Sequence, residues 1–391
     1  MSEWKEYKLG EIVMKVTSGG TPSTKNAKYY NGNIPWLNTK EINFNRIWRT
    51  EKYISEKGFK NSSAKWIKEN SVIVAMYGAT AAKVAINKIP LTTNQACCNL
   101  IIDETKANYE FVFYSIWNKY DELENIAVGA AQQNLSVGVI ADFPIQLPLL
   151  PEQKAIASVL SSLDDKIDLL HRQNATLEKM AETLFRKCFI EDAKEEWKSG
   201  RVGDLIRILS GFAFKSSSFV ESGKYRLITI KGVQDGYLEL TNSNRIDELP
   251  EQMPEFCKLQ IGDILLSLTG NVGRCCLVDT TYLLLNQRVA KLHPIKERDK
   301  AFTYFFFRQP KIKQLLEDMA KGTAQANLSP IETSNMELKI PDDYTLNEFS
   351  SLVTPWLEKL IFNKKSIQTL TKIRDSLLPK LMSGEVTVEM P

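Results

Sequence analysis

The chain is predicted to fold as an α+β protein. Two globular domains with curved sheets are expected, separated by two long helices packed as an antiparallel coiled coil with pseudo-twofold symmetry. Three observations predict this. The sequence repeats itself at an offset of about 193 residues. Each copy carries apolar runs that end in glycine, in the manner of buried strands. Each copy is followed by a heptad seam.

The repeat is carried by matched motifs. Trp4, Gly10, Glu11 and Ile12 return as Trp197, Gly203, Asp204 and Leu205. Gly78 with Asn94-Gln95 returns as Gly270 with Asn286-Gln287, and Gln132-Gln133-Asn134-Leu135-Ser136 returns as Gln325-Ala326-Asn327-Leu328-Ser329. The period is far too long for a solenoid. Two domain-sized copies in 391 residues leave room for a core in each.

Within the first copy, residues 35–39 read as a short strand and 71–77 as a buried strand, with a helix over 109–123. Residues 150–190 read as one long helix, which at 1.5 Å per residue spans roughly 60 Å. Ile156, Leu163, Leu170, Leu177 and Leu184 recur every seventh residue, and Leu160, Ile167, Asn174, Ala181 and Cys188 follow four later. In the second copy 225–230 and 263–269 read as strands and 303–319 as a helix. The second seam runs through Phe349, Trp356, Asn363, Leu370 and Leu377, with Val353, Leu360, Ile367, Arg374 and Leu381. Pro355 and Pro379 should kink this helix or reset its ends. Asn174 and Asn363 are each a polar residue in a seam. Such an Asn either fixes register against a partner or faces water. The expected domains are 1–148, 149–196, 197–341 and 342–391.

Composition bounds the function. Hydrophobic content of 43% and charged content of 25% are those of a folded globular chain. No run of 18 apolar residues exists and Met1-Ser2-Glu3-Trp4 does not read as a signal peptide, so no membrane partner and a cytoplasmic location are expected. The six cysteines, in the vicinal pairs Cys97-Cys98 and Cys275-Cys276 plus Cys188 and Cys257, suggest reduced thiols. Lys+Arg against Asp+Glu is 17 against 14 over 1–150 and 20 against 16 over 197–341, but 7 against 10 over 151–196 and 6 against 7 from 342 onward. The globular segments are mildly basic, which attracts phosphate, and the helical ones mildly acidic.

Catalytic motifs are missing. There is no phosphate-binding Gly-x4-Gly-Lys-Ser/Thr loop and no Gly-x-Gly-x-x-Gly after a strand. His171 and His293 are the sole histidines, too few for a metal cluster. No catalytic, cofactor or metal residues are therefore assigned, and the chain is expected not to be an enzyme.

What recurs is loop chemistry suited to nucleic acid. Ser18, Gly19, Gly20 and Thr21, with Lys25 and Lys28, form one small-residue loop; Ser210, Gly211 and Lys215 form its counterpart. Small residues let backbone amides approach phosphates, though they also make plain turns. Tyr77 and Lys83 flank one tight turn, and Thr269, Asn271 and Arg274 the other, where a cation can meet phosphate or guanine. Lys40, Lys231 and Arg288 add cations. Gln132, Asn134, Gln325 and Asn327 either read adenine or satisfy buried backbone groups. Residues that differ between the halves are the better candidates for reading different bases.

Taken in order, these motifs resemble the specificity subunits of type I restriction-modification systems, the HsdS family. The resemblance covers essentially the whole chain. It also rests on Ile34-Pro35-Trp36-Leu37, on Leu147-Pro148-Leu149-Leu150-Pro151-Glu152-Gln153-Lys154, and on the stretch from Leu377-Leu378-Pro379 to Glu385. It implies two target-recognition domains, each binding one half of an asymmetric bipartite site in double-stranded DNA. The helices would set the spacer and dock methyltransferase subunits, two of them, with translocase-nuclease subunits joining through these. S-adenosylmethionine, ATP and Mg would belong to the partners, and none to this chain. Two departures stand out: Ala82 replaces a second turn glycine, and 342–347 lacks the proline-rich helix opening. The rival readings are a DNA-modifying enzyme with its own site and a helical assembly scaffold.

Overall fold

The computed structural model describes residues 4–129, 134–321 and 327–389. The chain forms two compact units, Met1–Lys166 with Leu370–Pro391, and Ile167–Thr369. The boundaries fall inside the two long helices, so each unit contains a section of both.

The first unit holds a five-stranded sheet in the order Val13–Ser18, Cys97–Ile102, Val72–Ala75, Val84–Asn87, Asn45–Ile47. A four-stranded sheet follows the order Lys52–Ile54, Tyr30–Leu37, Leu91–Thr93, Trp66–Ile67. Pairing is antiparallel except between Asn45–Ile47 and Val84–Asn87 and between Tyr30–Leu37 and Leu91–Thr93. The continuous apolar run at 72–75 is explained by burial on both faces. Val72 and Val74 join a core that includes Phe111 and Tyr114, while Ile73 and Ala75 join one that includes Leu37 and Leu91. The two-residue period of the strand sorts them.

The second unit repeats the plan. Ile206–Ser210, Val289–Pro294, Ile264–Ser267 and Cys275–Leu277 form one sheet, and Arg245–Ile246, Tyr225–Ile228 and Leu283–Leu285 another. The vicinal cysteines follow the same alternation: Cys98 and Cys275 enter one kind of core, Cys97 and Cys276 the opposite face. All six are free thiols. Burial pushes the Cys98 and Cys275 thiols up to about 12, which makes them unreactive.

Three expectations are corrected. The helix expected over 109–123 is two, Tyr109–Asn118 and Tyr120–Gly129, broken at Lys119. The one expected over 303–319 is Lys300–Phe307 and Pro310–Lys321, since Pro310 cannot continue the first and instead starts the second. Conversely, Pro355 and Pro379 end nothing: Asp343–Met382 is one 40-residue helix. Both prolines and Ser351, whose carbonyl Pro355 deprives of a donor, are exposed, so water satisfies what the ring removes.

The first long helix, Leu150–Arg186, and the second run antiparallel within each unit. In the first unit Ile156, Ala157 and Leu160 share a core with Leu378 and Leu381. In the second, Ala181 and Phe185 share one with Phe349 and Val353. No helix among the described residues is long and apolar enough to cross a membrane.

Candidate nucleic-acid interface

Strand order delivers four loops to one end of each unit's sheets. In the first unit they follow Ser18, Leu37, Ala75 and Thr93, and backbone hydrogen bonds lock them together. Gly20 N donates to Thr93 O (2.9 Å), Asn94 N to Leu37 O (3.0 Å) and Met76 N to Ala96 O (2.8 Å). Thr80 Oγ1 donates to Thr39 O (3.0 Å). The second unit does the same. Phe212 N donates to Leu285 O (2.9 Å), Asn286 N to Ile228 O (3.2 Å) and Leu268 N to Arg288 O (3.0 Å). Residues scattered over some 80 positions thus form one rim per unit, where polar side chains can face a ligand.

Much of the repeated motif builds this rim. Asn134 bridges Tyr77, and Asn327 bridges Thr269. The next residue enters the core, Leu135 and Leu328 each being 1% exposed. Ser136 and Ser329 then cap short helices, accepting from Val139 N (3.2 Å) and Glu332 N (3.3 Å). The asparagine, leucine and serine of the motif are therefore a clamp on the strand-to-loop turn. Gln132 and Gln325 lie outside the described residues. The openings are equally structural: Glu11 accepts from Lys8 N and Asp204 from Arg201 N, both at 2.7 Å. Trp4 Nε1 donates to Glu152 and Trp197 Nε1 to Asp342, so the unlike helix openings serve one anchoring role.

The small-residue loop also has an internal reason. A Cβ on Gly19 would lie 1.9 Å from Thr93 O, one on Gly20 2.2 Å from Ser63 Oγ, and one on Gly211 2.3 Å from Asn286 O. Gly19 and Gly20 are buried, so the backbone they admit is the chain's own. Trp36 Nε1 donates to Gly20 O (2.9 Å), and Thr21 Oγ1 is hydrogen-bonded to Gln95. Ser18 is half-buried at the end of its strand and Ser210 exposed at the end of its own.

At the tight turns, Gly78 has φ +76° and Ala82 +65°, against +70° for Gly270 and +80° for Gly273. Ala82 thus occupies a left-handed position for which the second copy uses glycine. Fully buried in the core, its methyl group offsets part of the strain.

The candidate cations divide. Lys83 Nζ donates to Asn43 Oδ1 (2.7 Å), and Arg274 donates to Gln234 Oε1. These are engaged within the chain. Lys28 is exposed in the short turn that precedes Tyr30–Leu37, whose Tyr30 Oη donates to Pro22 O (2.7 Å). Lys25, Lys40, Lys215, Lys231 and Arg288 are exposed, and among the described residues no carboxylate lies within 4 Å of their charges. Lys231 and Arg288 line one cavity of about 350 Å³ with Asn242 and Asn244, which the sequence reading missed. An Asn-Ser-Asn run is turn chemistry in sequence, and only the adjacency to Asn286-Gln287 sets it beside a cation.

The seam is only partly the expected one. Ile156, Ile167, Leu170, Asn174 and Leu360 are buried. Leu163, Leu177, Leu184, Trp356, Ile367, Leu370 and Leu377 are half-buried, and Asp164, Phe185, Leu357 and Leu378, each one residue on, are buried instead. The helices pack against their own domains as well as each other, which widens the buried stripe beyond an a/d seam. Asn174 and Asn363 do meet: Asn363 Nδ2 donates to Asn174 Oδ1 (2.9 Å), with the two residues 9% and 0% exposed. The water-facing alternative for these residues is excluded. Asp164, in the first unit, accepts from Tyr114 Oη (2.5 Å) and pairs with Arg374 (2.7 Å), whose guanidinium lies 4.4 Å from the Trp117 ring centroid.

A duplicated α+β chain of this kind, with two sheet-rich units and a polar rim on each, defines a two-domain binding protein. The type I restriction modification DNA specificity domain matches twice, over 1–179 and 194–372, and the chain belongs to that family. It is 30% identical to the type I restriction enzyme MjaIX specificity subunit of Methanocaldococcus jannaschii, covering 99% of this chain and 97% of that one. To the HindI specificity subunit of Haemophilus influenzae it is 21% identical, over 99% and 100%. The crystal structure of the S subunit of a type I system from M. genitalium shares the fold, with TM-score 0.64, 17% identity, and coverage of 100% and 97%.

Proposed function

We propose that the chain is the DNA-reading subunit of a type I restriction-modification complex. Residues 1–148 and 197–341 each read one half of an asymmetric bipartite target in double-stranded DNA. Residues 149–196 and 342–391 form the helical spacers that hold the half-sites at a fixed separation and dock two methyltransferase subunits. Translocase-nuclease subunits join through these, in the cytoplasm, and the partners supply S-adenosylmethionine, ATP and Mg chemistry. The chain itself is not an enzyme. The observation that carries this reading is the doubled rim: the same clamp of asparagine, leucine and serine on the same turn, beside side chains that differ between the copies. Shared residues support the loops, and exposed cations such as Lys40 and Lys215 grip phosphates. Unlike residues would read bases.

The test is to map methylated adenines in cells expressing the chain with its methyltransferase partner. A bipartite motif with unlike halves is expected. Lengthening both helices by about four residues, roughly one turn, should change the spacer and leave both half-sites intact. Altered half-sites would refute the spacer role, and methyl transfer by the purified chain alone would refute its non-catalytic nature.

A further inference from the structure

Resting on that reading, we infer that the cavity formed by Lys231, Asn242, Asn244, Asn286, Gln287 and Arg288 is the base-reading pocket of the second recognition domain, and that Arg288 reads a guanine there.

Three observations converge on it. The cavity, of about 350 Å³, lies where the loops following Ile228 and Leu285 meet, beside the Asn242–Asn244 turn. Its chemistry is one-sided: two cations and four amides line it, and no carboxylate does. Its hydrogen-bonding capacity is unspent. Among the described residues, none of these six side chains makes a hydrogen bond or ion pair within the chain, although backbone hydrogen bonds tie the loops that carry them. Asn286 N donates to Ile228 O (3.2 Å), Gln287 N to Phe212 O (3.0 Å), and Leu227 N to Asn244 O (2.9 Å). The frame is held and the side chains are left for something else.

The corresponding residues of the first copy behave differently. Asn94, matching Asn286, is 7% exposed and its Oδ1 accepts from Ala96 N (3.1 Å). Gln95, matching Gln287, is held by Thr21. One sequence motif is therefore structural in one domain and available in the other. That difference is what two domains reading different sequences require.

The ligand follows from the donor set. An exposed guanidinium with two parallel donors fits guanine O6 and N7, and amides fit adenine N6 and N7 or a neighbouring base. Lys231, a point charge on the same wall, suits a flanking phosphate.

The test uses the full chain with its methyltransferase partner and selection of bound duplexes from a randomised library. Arg288→Ala should lose about ten- to a hundredfold discrimination for guanine at one position of the second half-site. Arg288→Lys should relax the same position while keeping overall affinity, which guards against misfolding of the alanine variant. Lys231→Ala should weaken all sequences alike and lower the salt slope by roughly 0.9. The first half-site should be unchanged in each variant. Unchanged second half-site preference in both Arg288 variants, with the wild type still bipartite, would overturn the pocket alone. A wild type without sequence preference would overturn the underlying function as well.

Discussion

Asp164→Ala should be among the most damaging single changes in the helical part of the chain. Its carboxylate is 11% exposed and the Arg374 side chain 12%, with one oxygen paired to Arg374 at 2.7 Å and the other accepting from Tyr114 Oη at 2.5 Å. Removing it leaves a largely buried guanidinium with the more exposed Asp375 as its remaining ion-pair partner, and a fully buried phenol without its acceptor. Breaking a buried pair from one side costs about 3–5 kcal/mol. For a unit of this size that lowers the melting temperature by about 6–20 °C at 2–4 °C per kcal/mol. The double variant Asp164→Leu with Arg374→Met removes both charges and should recover most of the loss, because the pair itself contributes little net stability. Chemical and thermal denaturation of Asp164→Ala, and of wild type, Asp164→Leu, Arg374→Met and their double variant as one cycle, decides the matter. A cost below about 1 kcal/mol for Asp164→Ala, or strictly additive singles, would refute the argument.

Replacing Asn174 and Asn363 together by Leu should stabilise the chain by about 1–3 kcal/mol in denaturant titration, since Asn363 Oδ1 is buried without a partner. The same change should permit alternative helix registers, visible as heterogeneous cysteine cross-linking. Gly20→Ala should lower folding stability in the absence of DNA by about 1–3 kcal/mol, because its Cβ meets Ser63 and Ala64 at 2.2–2.5 Å; unchanged stability would return this glycine to a phosphate-approach role. Asp342 is held well below its usual 3.8 by Lys194 and by hydrogen bonds from Thr345 and Trp197. Its folded value being depressed, the stability it confers is present above that usual value and is lost as pH falls below it. Asp342→Asn should therefore be less stable than wild type at pH 7, with the gap closing below pH 4, measured by pH-dependent melting.

The legible parts of this protein were those governed by local chain chemistry. The strands around Val74 and Leu266, the two long helices and the turn glycines Gly78 and Gly270 all follow from patterns within a dozen residues. The misreadings came where local rules compete with context. Pro310 broke one expected helix while Pro355 and Pro379 broke none, and the difference is burial and water access around the freed carbonyl. Lys83 and Arg274 looked like free cations until Asn43 and Gln234, some 40 residues away, took up their donors.

The duplication was determined by the sequence alone because it is a repeat of the sequence itself, and the heptad spacing and mixed strand-helix pattern because helical pitch and side-chain alternation impose them directly. Tertiary structure decided which residues of each repeated motif are spent on the fold and which are left for a ligand. Asn94 and Asn286 are the same letter in the same motif, yet one is buried and bonded and the other lines an open cavity. The physical reason is that hydrogen-bond satisfaction depends on partners brought together by strand pairing, and no spacing along the chain encodes it.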